Sequence, residues 1–102
     1  MNIPIVTERV PEVKIDSYGR YSSDNYGVNT LRVQIGSLYL YYSYQTIIAF
    51  SHPDTGQVVC ENAWTVTTGK HLNWIDGKSH NTRLEVSEFD KMLEDILRKT
   101  IN

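Results

Sequence analysis

The chain predicts an α+β domain: a small antiparallel β-sheet of four to five strands, built from two hairpins, with a C-terminal amphipathic helix packed on one face and a short helix near 67–75. Three observations predict it. Leu31 to Tyr42 alternates apolar and polar residues about Gly36-Ser37, the pattern of a two-residue hairpin. Thr46-Ile47-Ile48-Ala49-Phe50 is apolar on both sides, as in a strand covered on both faces. Phe89, Met92, Leu93, Ile96 and Leu97 recur at helical spacing and form one apolar stripe.

The elements follow in order. Val10-Pro11 disfavours helix before the proline, and Val13-Lys14-Ile15 reads as a short edge strand. Asp16 to Gly27 is polar and glycine-bearing, a loop signal, yet it holds Tyr18, Tyr21 and Tyr26 and is expected to pack against the domain. A Gly36-Ser37 turn of type II′ pairs Ile35 with Leu38, Gln34 with Tyr39, Val33 with Leu40 and Arg32 with Tyr41. Leu31, Val33, Ile35, Leu38, Leu40 and Tyr42 then share one face, and Arg32, Gln34, Tyr39 and Tyr41 the other. In that register Arg32 lies beside Tyr41, close enough for a cation–π contact.

After the central strand, His52-Pro53-Asp54-Thr55-Gly56 is a turn, and Gln57 to Glu61 completes the second hairpin. Thr67 or Thr68 is the expected N-cap of the short helix, which Asp76-Gly77-Lys78 ends. Thr82 to Val86 reads as a last short strand and Ser87 as the N-cap of the final helix. There Glu88 and Asp90 sit at the positive end of the helix dipole, and Arg98 and Lys99 at the negative end.

Composition narrows the function. At 102 residues the chain makes a single domain, 1–102. A net charge of −2 argues against nucleic acid as the partner, because a strong hold on a phosphate backbone needs clustered Lys and Arg. No stretch approaches the ~20 apolar residues that span a bilayer, and Met1-Asn2-Ile3-Pro4 does not begin a secretory signal. The single Cys60 has no partner for an internal disulfide, so a reducing cytoplasm is expected. His52, His71 and His80 lack metal-ligand spacing, and no cofactor or metal site is expected. No nucleophile–base pair stands out either; His71 with Asp76 is an acid–base couple only by nearness in the sequence, so no catalytic residue is assigned.

Two surfaces remain. Thr68, Gly69, Lys70 and His71 fall where a helix should begin, and backbone N–H groups there attract anions. Trp64 and Trp74 offer stacking faces and Asn73 an orienting hydrogen bond. The more ordinary use of the same residues is a plain helix cap with a solvated lysine, and tryptophans that anchor a core or an interface. It is not a P-loop, because Trp64 stands where the first glycine belongs and His71 where a hydroxyl would hold magnesium. The second surface is Arg32, Tyr39 and Tyr41, residue types enriched at protein interfaces, unless a loop covers them.

Tyr26-Gly27-Val28-Asn29-Thr30-Leu31-Arg32, together with Glu61-Asn62-Ala63-Trp64 and Thr67-Thr68-Gly69-Lys70-His71-Leu72-Asn73-Trp74-Ile75, resembles a domain-of-unknown-function family common in tailed phages and in the prokaryotes that carry them. The resemblance spans about residues 18–97 and leaves 1–17 as an N-terminal extension. It implies a phage origin and a compact domain, but no reaction. The leading expectation is therefore a small phage-encoded accessory protein that binds a host macromolecule, such as a defence component, through Arg32, Tyr39, Tyr41 and the 64–74 segment. A homodimer would suit the seven tyrosines as well. The alternative is a small-molecule or nucleotide binder using the Thr68–His71 turn, with an enzyme ranked last.

Overall fold

The computed structural model describes residues 12–20 and 29–101. Five strands, β1 (Val13–Ser17), β2 (Leu31–Ile35), β3 (Leu38–Ser43), β4 (Thr46–His52) and β5 (Gly56–Val59), lie side by side in chain order. Every neighbouring pair is antiparallel. Helix α1 (Val66–Asp76), a 3-10 turn (His80–Thr82) and helix α2 (Val86–Ile101) follow. The domain is α+β. Tyr21, Tyr26 and the Val10-Pro11 break lie outside the described residues, and Asp16 and Ser17 belong to β1 rather than to the loop.

The β2–β3 register is the one alternation requires: Arg32↔Tyr41, Val33↔Leu40, Gln34↔Tyr39 and Ile35↔Leu38. Gly36 takes φ 59 in the turn, a conformation that costs glycine nothing. The β3–β4 connection is also a tight turn, with Tyr44 at φ 57, in the left-handed region where a bulky side chain is strained. Its backbone N–H donates to the Asn29 carbonyl at 2.9 Å, and its ring lies 5.8 Å from that of His71.

β4 reconciles its apolar run with a two-faced sheet by means of a bulge. Tyr41 pairs with Ala49, but Tyr42 pairs with Ile47, so Ile48 is an extra residue. The insertion puts Ile47 and Phe50 in one core and Ile48 and Ala49 in the other. The first core joins Leu38, Leu40, Phe50, Val58 and Cys60 to Phe89 and Ile96 of α2, with Met92, Leu93 and Leu97 packed around them. The second joins Ile48, Ala49 and Val59 to Leu72 of α1.

Three boundaries differ from expectation. Thr65, not Thr67 or Thr68, caps α1: its side chain accepts from the Thr68 N–H and its carbonyl from the Gly69 N–H at 3.0 Å. The strand expected over Thr82–Val86 reduces to a single parallel bridge between Cys60 and Leu84, because α2 begins at Val86. Ser87 is therefore inside the first turn of α2, and the Glu85 carbonyl, accepting from the Phe89 N–H at 2.9 Å, marks the cap. Among the described residues no helix is long and apolar enough to cross a membrane.

Candidate functional site

Helix α1 is held on the sheet by polar groups as much as by apolar ones. Thr68 and His71 are one turn apart and point inward, as i and i+3 must. Facing them from the end of β3 is Ser43, whose Oγ lies 2.7 Å from His71 Nδ1 and 3.0 Å from Thr68 Oγ1. His71 is 0 % and Ser43 2 % exposed, so the Ser–His pair is enclosed between α1 and the end of β3 and ties the two together. Burial, with the Lys70 charge second, holds the His71 pKa below the ordinary histidine value. The expected couple of His71 with Asp76 does not form. Asp76 instead takes a bidentate bond from Arg83 at 2.7 and 2.9 Å, and Arg83 also donates to Asn73 Oδ1 at 2.9 Å. Both charged side chains are almost fully buried, which ties the end of α1 to the segment before α2.

The two tryptophans part company. Trp74 stacks on the His71 ring at 5.5 Å and 26°, with Lys70 Nζ 5.3 Å from its own ring centre. Trp64 stays outside, on the loop entering α1. Asn62 shapes that loop: its Oδ1 accepts from the Trp64 N–H at 3.0 Å, and its Nδ2 donates to the Thr65 carbonyl at 3.1 Å. Gly69 makes room for it, since a Cβ there would stand 2.9 Å from Asn62 Nδ2. Thus Gly69 accommodates a side chain of its own protein, and its N–H is spent within the helix.

The corner so formed carries Trp64, 39 % exposed, and Val66, 92 % exposed. Val66 opens onto a groove of about 560 Å³ that runs along α1 past Glu61, Asn62, Lys70, Asn73 and Arg83. Exposed apolar side chains fixed beside a concavity are the arrangement that protein contacts use.

The sheet surface expected of Arg32, Tyr39 and Tyr41 is only partly open. The Arg32 guanidinium lies 5.4 Å from the Tyr39 ring centre, so the cation–π partner is the diagonal tyrosine rather than Tyr41. Arg32 also grips Asp16 at 2.9 and 2.5 Å. Tyr41 meets the edge of the Tyr18 ring at 5.4 Å and packs against the α1 core. Tyr18, from the loop expected to pack, is fixed further by its hydroxyl donating to the Tyr42 carbonyl at 2.8 Å.

Ser43 escaped the sequence reading, and Val66 entered it only as part of the 64–74 segment. Ser43 was within reach of it, because the hairpin alternation places Ser43 on the Tyr39 and Tyr41 face; Val66, an isolated apolar residue, carries no periodicity. Cys60 is buried, and burial, reinforced by Asp90 and Glu61, pushes its thiol up to about 11, far from reactive. Among the described residues no cluster of three or more His, Cys, Asp or Glu forms a metal-binding group.

The chain belongs to a family of unknown function (DUF8033), whose model matches residues 7–91. The match takes in β1 and ends within α2. No curated protein and no solved structure matches it.

Proposed function

We propose that the protein acts by binding a host macromolecule, and that the contact centres on Trp64, Val66 and the groove beside them. The observation that carries the reading is an exposed apolar corner whose backbone is held by hydrogen bonds. Asn62 fixes the loop, Gly69 admits Asn62, and the Ser43–His71–Thr68 cluster anchors the helix that follows. An apolar contact presented without loss of conformational freedom costs little to bind. Tyr39 and Arg32, on the same side of the sheet as α1, supply a second patch. The resemblance to phage-borne domains supports a phage-encoded accessory protein, acting in the host cytoplasm on a protein such as a defence component.

Little speaks for the small-ligand alternative. Thr68 and His71 are buried, the Gly69 N–H is bonded within the helix, and Trp74 is stacked on His71. A photo-crosslinking residue in place of Val66, expressed in host cells, tests the main reading. A discrete adduct is expected at position 66, weakened by Trp64→Ala and not seen from position 91 on α2. Indistinguishable adducts from both positions, or none from position 66 across several hosts, would overturn it.

A further inference from the structure

We infer that strand β1 is the interface of a symmetric homodimer, in which two sheets join edge to edge with Ile15 on the two-fold axis. The argument begins with the direction of backbone hydrogen bonds. Gly36 N–H donates to the Glu12 carbonyl, and Tyr18 N–H donates to the Thr30 carbonyl, both at 3.0 Å. In the β1–β2 register the even-numbered residues of β1 therefore turn their N–H and C=O toward β2. By the alternation of an antiparallel ladder, Val13, Ile15 and Ser17 turn theirs outward. Among the described residues no strand pairs with that outer edge. All five residues of β1 are exposed, including Val13 at 55 % and Ile15 at 65 %. A row of unpaired N–H and C=O groups of this kind is a template for another strand.

Charge selects which strand. A second copy must pair antiparallel, with outward residues opposite outward residues. Placing Val13 opposite Ile15 of the other copy sets Lys14 against Lys14, and placing Ile15 opposite Ser17 sets Asp16 against Asp16. Like charges directly opposite are destabilising. Centring on Ile15 pairs Val13 with Ser17 and sets Lys14 against Asp16 twice, in non-hydrogen-bonded positions where side chains come closest. This register also pairs all five residues, whereas centring on Val13 or Ser17 pairs fewer of them.

The surroundings agree. Arg32 already holds Asp16 toward the face that Lys14 occupies, so each junction becomes an Arg32–Asp16–Lys14 chain of alternating charge. On the other face Ile15, cross-strand partner of Val33, meets its copy, and Val13, partner of Ile35, lies diagonal to the Ile15 of the other copy, which continues the apolar strip. The same patch is used by both chains, as a two-fold interface demands.

Sedimentation of the full chain over a concentration series tests the inference. A reversible monomer–dimer equilibrium is expected. Lys14→Glu or Asp16→Lys alone sets like charges opposite at both junctions and should weaken it by about tenfold or more. Mixing the two variants sets opposite charges at both junctions and should restore a mixed dimer. Ile15→Pro removes an outward N–H while leaving the β1–β2 ladder intact, and should abolish association without changing the circular dichroism spectrum. A chain that stays monomeric at every concentration, or a dimer indifferent to Lys14→Glu or Ile15→Pro, overturns the inference. Should Asp16→Lys fail to fold for want of the Arg32 bond, the other two variants decide.

Discussion

Against one face of the sheet, α2 lays Phe89, Met92, Leu93, Ile96 and Leu97 on Leu38, Leu40, Phe50 and Val58. Against the other, α1 contributes Leu72 with Ile75 beside it, and fills the remaining contact with His71 and Thr68 meeting Ser43. The first contact is non-directional: any well-shaped apolar stripe would hold it, and its strength follows the area removed from water. The second is directional. Each buried polar atom requires a partner at hydrogen-bond distance, so α1 docks in one register, with the Trp64–Val66 corner fixed at its start. The face that stabilises the domain and the face that positions the candidate site are thus built by different means.

The largest effect should come from breaking the apolar side. Phe89 is 1 % exposed, with its ring 5.6 Å from that of Phe50. Phe89→Ala should destabilise the domain by about 3–5 kcal/mol in urea unfolding. A loss of under about 1 kcal/mol would mean that α2 contributes little to the core.

On the polar side, His71→Leu should cost about 1–3 kcal/mol, because Ser43 loses a buried partner. It should also alter the pH dependence. Burial, with the Lys70 charge second, depresses the pKa of His71 in the folded state. On acidification through the ordinary histidine value of 6.5, the unfolded chain takes up a proton first. The unfolded state then binds more protons, so stability falls as pH drops below that value. Urea midpoints measured on either side of it should show this loss in the wild type and a smaller one in the variant. Equal losses in both would show that His71 is not its source.

The smallest effect sharpens the comparison at the corner. Gly69→Ala gains up to about 1 kcal/mol of helix propensity but drives a Cβ into the Asn62 amide. In the wild type the two should nearly cancel, and Trp64 fluorescence should shift as the loop moves. With Asn62→Ala already present, Gly69→Ala should become stabilising. Additive free energies in this double-mutant cycle would refute the coupling.

How much was legible follows the same division. The β2–β3 register and the α2 stripe could be read directly, since periods of 2 and 3.6 are properties of a local window. The bulge at Ile48 could not, because one inserted residue leaves the run Ile47-Ile48-Ala49-Phe50 apolar throughout. Nor could the N-cap of α1, where Thr65, Thr67 and Thr68 compete and the carbonyl that accepts the first helical bond decides. The glycine of the Thr67–Asn73 run was visible, but the reason for it was not: the contact that requires it comes from Asn62, in a loop.

By itself, the sequence determined the α+β class, the β2–β3 hairpin and its two faces, and the amphipathic final helix, because these rest on interactions within a few residues. The tertiary structure alone decided that His71 is buried against Ser43, that Asp76 answers to Arg83, and that Trp74 stacks half-buried on His71 while Trp64 is the more exposed of the two. Those outcomes depend on groups brought together from distant parts of the chain, or on which side of α1 meets the sheet. Hydrogen-bond geometry selects one such arrangement only after the apolar cores have placed the elements.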